Sequence, residues 1–203
     1  VWGDTSGPNR LNPVRSHLYD VLDGVDRAWG ASSYIEQRQE RFYLRAEAYS
    51  TDIEAFERYW QQADHLAENH LYEQAEKTFI QAGYLYKGSY MEGVHKGWNW
   101  HQDRADQLQF YYLESLNRQI TYAFARCDYS HCYELCCNGL HIDPSDQDLM
   151  EHMLAVLYEL DQGHKAMEYL ECYLQAVNLD VGSADYWSDS IVKTYWDTWP
   201  QGS

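Results

Sequence analysis

The chain has 203 residues, 45% of them hydrophobic and 16% aromatic, enough for a real core, yet no stretch reaches the roughly 18 uninterrupted apolar residues of a membrane span. Its net charge of −17 is uneven: residues 1–49 hold six Arg, no Lys and seven Asp or Glu, while residues 50–203 hold nine Lys or Arg against 25 acids. Phosphate is drawn by clustered cations, so the larger part is excluded as a nucleic-acid surface, and any DNA contact falls to the first fifty residues.

The chain opens on Val1 rather than Met, which leaves room for an upstream segment, and no basic stretch leads into an apolar one as a secretory signal requires. Asn12-Pro13 sets a capping residue before a proline at the first helical position. Leu18, Val21, Leu22, Val25 and Trp29 then recur at helical spacing until Gly30. Gly24 weakens that helix by about 1 kcal/mol against Ala, so something should approach the backbone there. Residues 33–37 and 41–45 are short, alternating and aromatic, and they predict two strands of a hairpin around Arg38-Gln39-Glu40.

From Thr51 the apolar period becomes 3.6. One helix is predicted from Thr51 or Asp52 to Glu68, and a second from Tyr72 to Tyr86, folded back across Asn69-His70. Ala63, Ala75 and Ala82 are small where the two must approach. The string Leu85-Tyr86-Lys87-Gly88-Ser89-Tyr90-Met91-Glu92-Gly93 then interrupts the helices, its two glycines marking a break. A long helix follows over 98–126, with a turn at Cys127-Asp128 and a return helix over 129–140 that ends at Asp143-Pro144. The next pair spans 146–160 and 163–177, and a last, weaker helix covers 184–196. Helical hairpins recur at roughly 34 residues, the tetratricopeptide period, and a hairpin of that kind buries its apolar face only when several stack.

Five cysteines, mostly clustered on one helix, suit reduced thiols in a cytoplasmic protein. Cys132 and Cys136 fall at packing positions of the repeat. His131, Cys132, Cys136 and Cys137 lack the paired Cys-x-x-Cys spacing of a structural zinc site, so no metal is expected. Nine scattered histidines come with no Ser/His/Asp order, glycine-rich phosphate loop or His-Glu-x-x-His string, so neither a cofactor nor catalysis is expected. The eight Trp and 19 Tyr leave two readings open. They pack between repeats, or some of them, Tyr90, Trp98, Trp100, Trp187, Trp196 and Trp199 among them, line a surface for a partner.

The Tyr86–Gly93 string, Trp98 with the amphipathic helix after it, and the hairpins ending at Pro144 and near Ala176 resemble the bacterial transcriptional activator domain. That domain is a tetratricopeptide-like module of winged-helix regulators related to antibiotic-pathway activators. Val1-Trp2-Gly3-Asp4 is similar to the motif that ends an early helix of the winged-helix unit preceding it, and Asp52-Ile53-Glu54-Ala55-Phe56 to the junction. The resemblance implies a mainly α fold: a tetratricopeptide-like hairpin array over 51–203, preceded at 1–49 by the last part of a winged helix with its small β-hairpin. It makes 12–29 the recognition helix and 34–45 the wing, with Arg10, Arg15, His17, Arg27, Arg38 and Arg41 facing DNA. It also implies that the array dimerises, contacts RNA polymerase or receives a signal from another regulatory domain. Asp20, Asp23 and Asp26 on the same helix point to an alternative, because an acid facing phosphate costs affinity. In that alternative the unit no longer reads DNA and the chain is a protein-interaction scaffold.

Overall fold

The computed structural model describes residues 16–23, 32–39, 41–45, 47, 49–93 and 99–199. Contacts divide the chain into two units, Val1–Glu54 and Ala55–Ser203.

In the first unit residues 16–23 are helical, and β1 (Ile35–Arg38) pairs antiparallel with β2 (Arg41–Leu44). Ile35 lies opposite Leu44 and Arg38 opposite Arg41, with Gln39 at φ 57° in the turn. The helical face differs from the expected one. Leu18, Val21 and Leu22 are exposed, while Tyr19 is buried along with Ile35. Residues 19 and 23 share a face one turn apart, and Asp23 holds that face to the residues before β1. The Ser33 backbone N–H donates to Asp23 Oδ1 at 2.6 Å, and the buried Ser32 hydroxyl donates to Oδ2. Ser32 Oγ in turn accepts from the N–H groups of Tyr34 and Ile35, so the carboxylate anchors the entry to the hairpin.

The second unit is a helical array. It comprises α1 (Asp52–Glu68, begun at the boundary), α2 (Tyr72–Leu85), a single 3-10 turn Asn99–His101, α3 (Gln102–Ala125), α4 (Tyr129–Ile142), α5 (Gln147–Glu159), α6 (Gly163–Ala176), α7 (Ala184–Ser188) and α8 (Ser190–Thr198). Thr51 and Glu54 close a capping box at the start of α1, each side chain accepting the other's backbone N–H. Asp128, Asp146 and Asp189 cap α4, α5 and α8 by accepting first-turn N–H groups.

Non-glycine residues with positive φ end four helices: His70, Cys127, Asp161 and Asn178. After each of them the next N–H reaches back to the carbonyl five residues before it, as Asp128 does to Ala123 and Gln162 to Leu157. Cys127 and Asp161 are 34 positions apart, so the same turn recurs at the period of the hairpins.

One core runs through α3 to α8, with Ile120, Leu149, Met153, Leu157, Leu170 and Ile191 among its fully buried members. A smaller one joins α1 and α2 through Ala63, Ala75 and Phe79. Ala63, Ala75 and Ala82 are wholly buried, as the close helix approach required. Gly139 on α4 touches Leu149 so closely that a Cβ there would lie 2.4 Å from Leu149 Cδ1.

The weak helix expected over 184–196 is instead two helices. Asp189 between them is extended at φ −63°, ψ 139°. Its carboxylate competes for the backbone, accepting from Ile191 and Val192 N–H and so restarting the chain as α8. That carboxylate also accepts from Tyr173 Oη at 3.0 Å, and Gln147 Nε2 donates to the same phenol at 3.1 Å. The two bonds tie α5, α6 and α8 together where Ile191, Val192 and Tyr195 are buried against the last hairpin.

Candidate functional site

Six residues were expected to face DNA, and the structure describes three of them. Arg10, Arg15 and Arg27 lie outside the described residues. His17 is exposed on the helical segment, and Arg38 and Arg41 are exposed at the tip of the hairpin. The hairpin register sets these two guanidinium side chains directly across from each other. Like charges opposed on a strand pair are unfavourable by themselves. Part of that cost is offset by Glu36, which binds Arg38 at 2.6 Å, while Arg38 also lies 5.8 Å from the Tyr43 ring centroid. The tip therefore presents two exposed arginines, Arg38 paired with Glu36, while the Asp23 carboxylate binds Ser32 and Ser33 at the hairpin entry.

In the array, the Leu85–Gly93 string builds structure at one end of the α1–α3 interface. Tyr86 stacks on Tyr112 with centroids 4.2 Å apart and touches Phe56 at 6.0 Å. Burial raises the Tyr86 phenol above its ordinary value, and the neighbouring Tyr112 and Glu92 add to the shift. Trp60 stacks on Tyr111 at 4.3 Å, and Arg104 binds Glu57 at 2.6 Å across the same pair of helices. Gly88 at φ 146° and Gly93 at φ 84° supply turns that a side chain would strain. Of the expected partner-facing aromatics, Trp98 lies outside the described residues, Trp100 is 63% exposed, and Tyr90 is half-buried. Trp187 is exposed, whereas Trp196 and Trp199 are half-buried in the terminal aromatic cluster.

Sequence reasoning missed Phe110. It is exposed on α3 in an acidic groove of about 320 Å³ with Asp106, Glu114, Asp143, Asp146 and Asp148. The available signal was its place two residues after the buried Leu108, off the apolar stripe. A second cavity, about 310 Å³, opens between α4 and α6 and is walled by Cys137, Met150, Tyr169 and Cys172. A wider groove of about 850 Å³ runs past Tyr72, Arg118, Tyr122 and Arg126, where Arg118 is paired with Glu114 and Arg126 with both oxygens of Glu76.

Cys132 and Cys136 occupy the core as expected, and burial raises both thiols, Cys132 to about 11. Among the described residues no three His, Cys, Asp or Glu side chains converge as metal ligands, and no helix is long and apolar enough to cross a membrane.

Burial pulls His152 on α5 below its ordinary 6.5, against the opposing pull of Asp148, Glu151 and Asp146. The unfolded chain therefore takes up a proton that the folded chain refuses, and stability falls as pH drops below about 6.5. Asp146, raised by burial, acts in the opposite sense in the carboxylate range. We expect His152→Leu to flatten the profile between about pH 5 and 7. Urea midpoints at the two ends of that window check this, and an unchanged slope in the variant would count against it.

The sequence profile of the family described as bacterial transcriptional activator domain matches residues 51–183, the array from the α1 capping box to the N-cap of α7. Comparison with curated proteins and comparison with solved structures each return no match. A match over well more than half of the chain, set on helices whose turns recur at the hairpin period, assigns it: the protein belongs to the bacterial transcriptional activator domain family.

Proposed function

We propose that the chain is the end of a winged-helix DNA-binding domain, residues 1–49, joined to an activator module, residues 51–203, in a cytoplasmic transcription regulator. The helical segment containing His17 is the recognition helix and the β1–β2 hairpin is the wing. Arg38 and Arg41 contact phosphate or an adjacent groove. The observation that carries the reading is the opposed arginine pair at the hairpin tip, a costly arrangement that an anion relieves. The Asp23 carboxylate supports it, because it binds the Ser32 hydroxyl and the Ser33 N–H at the hairpin entry. So does the open Leu18-Val21-Leu22 face, of the kind a recognition helix turns toward its scaffold.

The array, strongly acidic on balance, repels DNA and serves dimerisation, polymerase contact or signal reception. Its field favours a partner with a basic surface. The test is an electrophoretic shift with the full-length protein. Specific binding that persists against excess competitor DNA at physiological salt is expected. Weak, sequence-independent binding that vanishes by that salt would overturn the DNA-reading part.

A second reading, a protein-interaction scaffold whose winged-helix remnant no longer reads DNA, is favoured by one contact: Glu36 already neutralises Arg38. Loss of binding on removing the hairpin arginines separates the two.

A further inference from the structure

We infer that the cavity between α4 and α6 is a covalent receptor site for a small, planar, apolar electrophile of the conjugated-carbonyl class, with Cys172 as the nucleophile. The chain's five cysteines differ sharply in situation. Cys132 and Cys136 are sealed in the core, and Cys127 is an exposed turn residue. Cys137 and Cys172 share a cavity, whose other walls include His141, Met150, Tyr169 and Tyr173. At about 310 Å³ it has room for a single ring. Its lining of aromatic rings, a thioether and thiols suits soft, flat, apolar matter over ions.

The two thiols have different parts. Cys137 is half-buried, its Sγ 3.3 Å from Tyr169 Oη, and that phenol meets Tyr133 Oη at 3.0 Å. This chain of contacts joins α4 to α6, so Cys137 is wall. Cys172 is exposed at the rim of the same cavity, open to an incoming ring. In the addition, the Cys172 sulfur bonds to the β-carbon of the conjugated carbonyl and the carbon–carbon π bond breaks. The thiol proton ends on the α-carbon, and nothing leaves. His141 lines the same wall. A ring seated there bears on Tyr169 and hence on the packing of neighbouring hairpins, which gives the module a chemical input. The inference is independent of DNA reading: adduct formation is followed by mass and DNA binding by mobility, so either can fail alone.

The probes are N-phenylmaleimide and N-ethylmaleimide, which share a reactive ring and differ in apolar bulk. The chain is labelled briefly with each, and rates at individual cysteines are read by peptide mass spectrometry. We expect the phenyl-to-ethyl rate ratio at Cys172 to exceed that at Cys127 by about tenfold, as burial of one phenyl ring allows. Excess N-phenylsuccinimide, which fills the cavity without reacting, should slow Cys172 and leave Cys127 untouched. Cys137→Ser should keep the selectivity and Cys172→Ser should abolish it. Equal ratios at Cys172 and Cys127, or absence of protection, overturns the site. Selective labelling of Cys137 instead overturns the assignment of the nucleophile.

Discussion

Replacing Gly139 by Ala is expected to lower the unfolding free energy by about 2 kcal/mol, although Ala is the better helix former. Gly139 sits inside α4, where Ala alone would gain about 1 kcal/mol. The new methyl, however, would lie 2.4 Å from Leu149 Cδ1 and 3.1 Å from Cδ2. Leu149 is fully buried at the start of α5, in one core with Met150, Met153 and Cys136, so any movement of its side chain must be taken up by packed neighbours. Overpacking of this kind costs about 3 kcal/mol and exceeds the propensity gain. A double-mutant cycle makes the cause explicit. Leu149→Ala alone should cost about 3 kcal/mol through its cavity. With both changes the methyl introduced by Gly139→Ala enters that cavity, and the combined loss should fall short of the sum by about 3 kcal/mol, the overpacking that is relieved. Urea unfolding of the four proteins gives the answer. A neutral or stabilising Gly139→Ala, or strict additivity, would show that the α4–α5 approach is not what fixes glycine there.

Much of this architecture was legible because apolar periodicity and capping chemistry act locally. Thr51-x-x-Glu54 announces the start of α1, and the structure closes that box. Ala63, Ala75 and Ala82 announce close helix contact, and each is wholly buried. Turn conformation was less legible. His70, Cys127, Asp161 and Asn178 all adopt positive φ, a state that sequence marks clearly only when glycine or asparagine holds it. The tertiary fold imposes it on the other residues, because consecutive helices must reverse within two or three residues to stack.

The break at Asp189 was hidden for a similar reason. Its carboxylate is a capping group locally, but the bond from Tyr173, sixteen residues earlier, is visible only in three dimensions. The same limit applies to the first unit. Leu18, Val21 and Leu22 form a correct apolar stripe, yet the anchoring by Asp23 and burial of Tyr19 turn a different face to the hairpin. An acid that reads as a repellent of phosphate along the sequence is, in the fold, a structural anchor.

The exposed cations at that hairpin tip set the size of the expected effect on DNA binding. Removing both of them, Arg38→Ala with Arg41→Ala, should raise the dissociation constant of the full-length protein for its DNA site about 100-fold. Each lost charge-assisted contact is worth about 1.5 kcal/mol. Salt dependence tells phosphate contact from base reading. If both arginines neutralise phosphates, the slope of log K against log salt should become shallower by about 1.8, because two fewer counterions are released. Discrimination among sequences should stay nearly constant, since a phosphate carries no base identity. The fold should survive: neither side chain is in the core, and removing two opposed like charges relieves the hairpin. Glu36→Gln supplies the converse. It frees Arg38 from its 2.6 Å partner and removes a nearby negative charge, so binding should tighten severalfold. Unchanged affinity and slope in the double variant, with circular dichroism showing an intact fold, would transfer the hairpin from the DNA surface to a protein-facing one. That result would favour the scaffold reading.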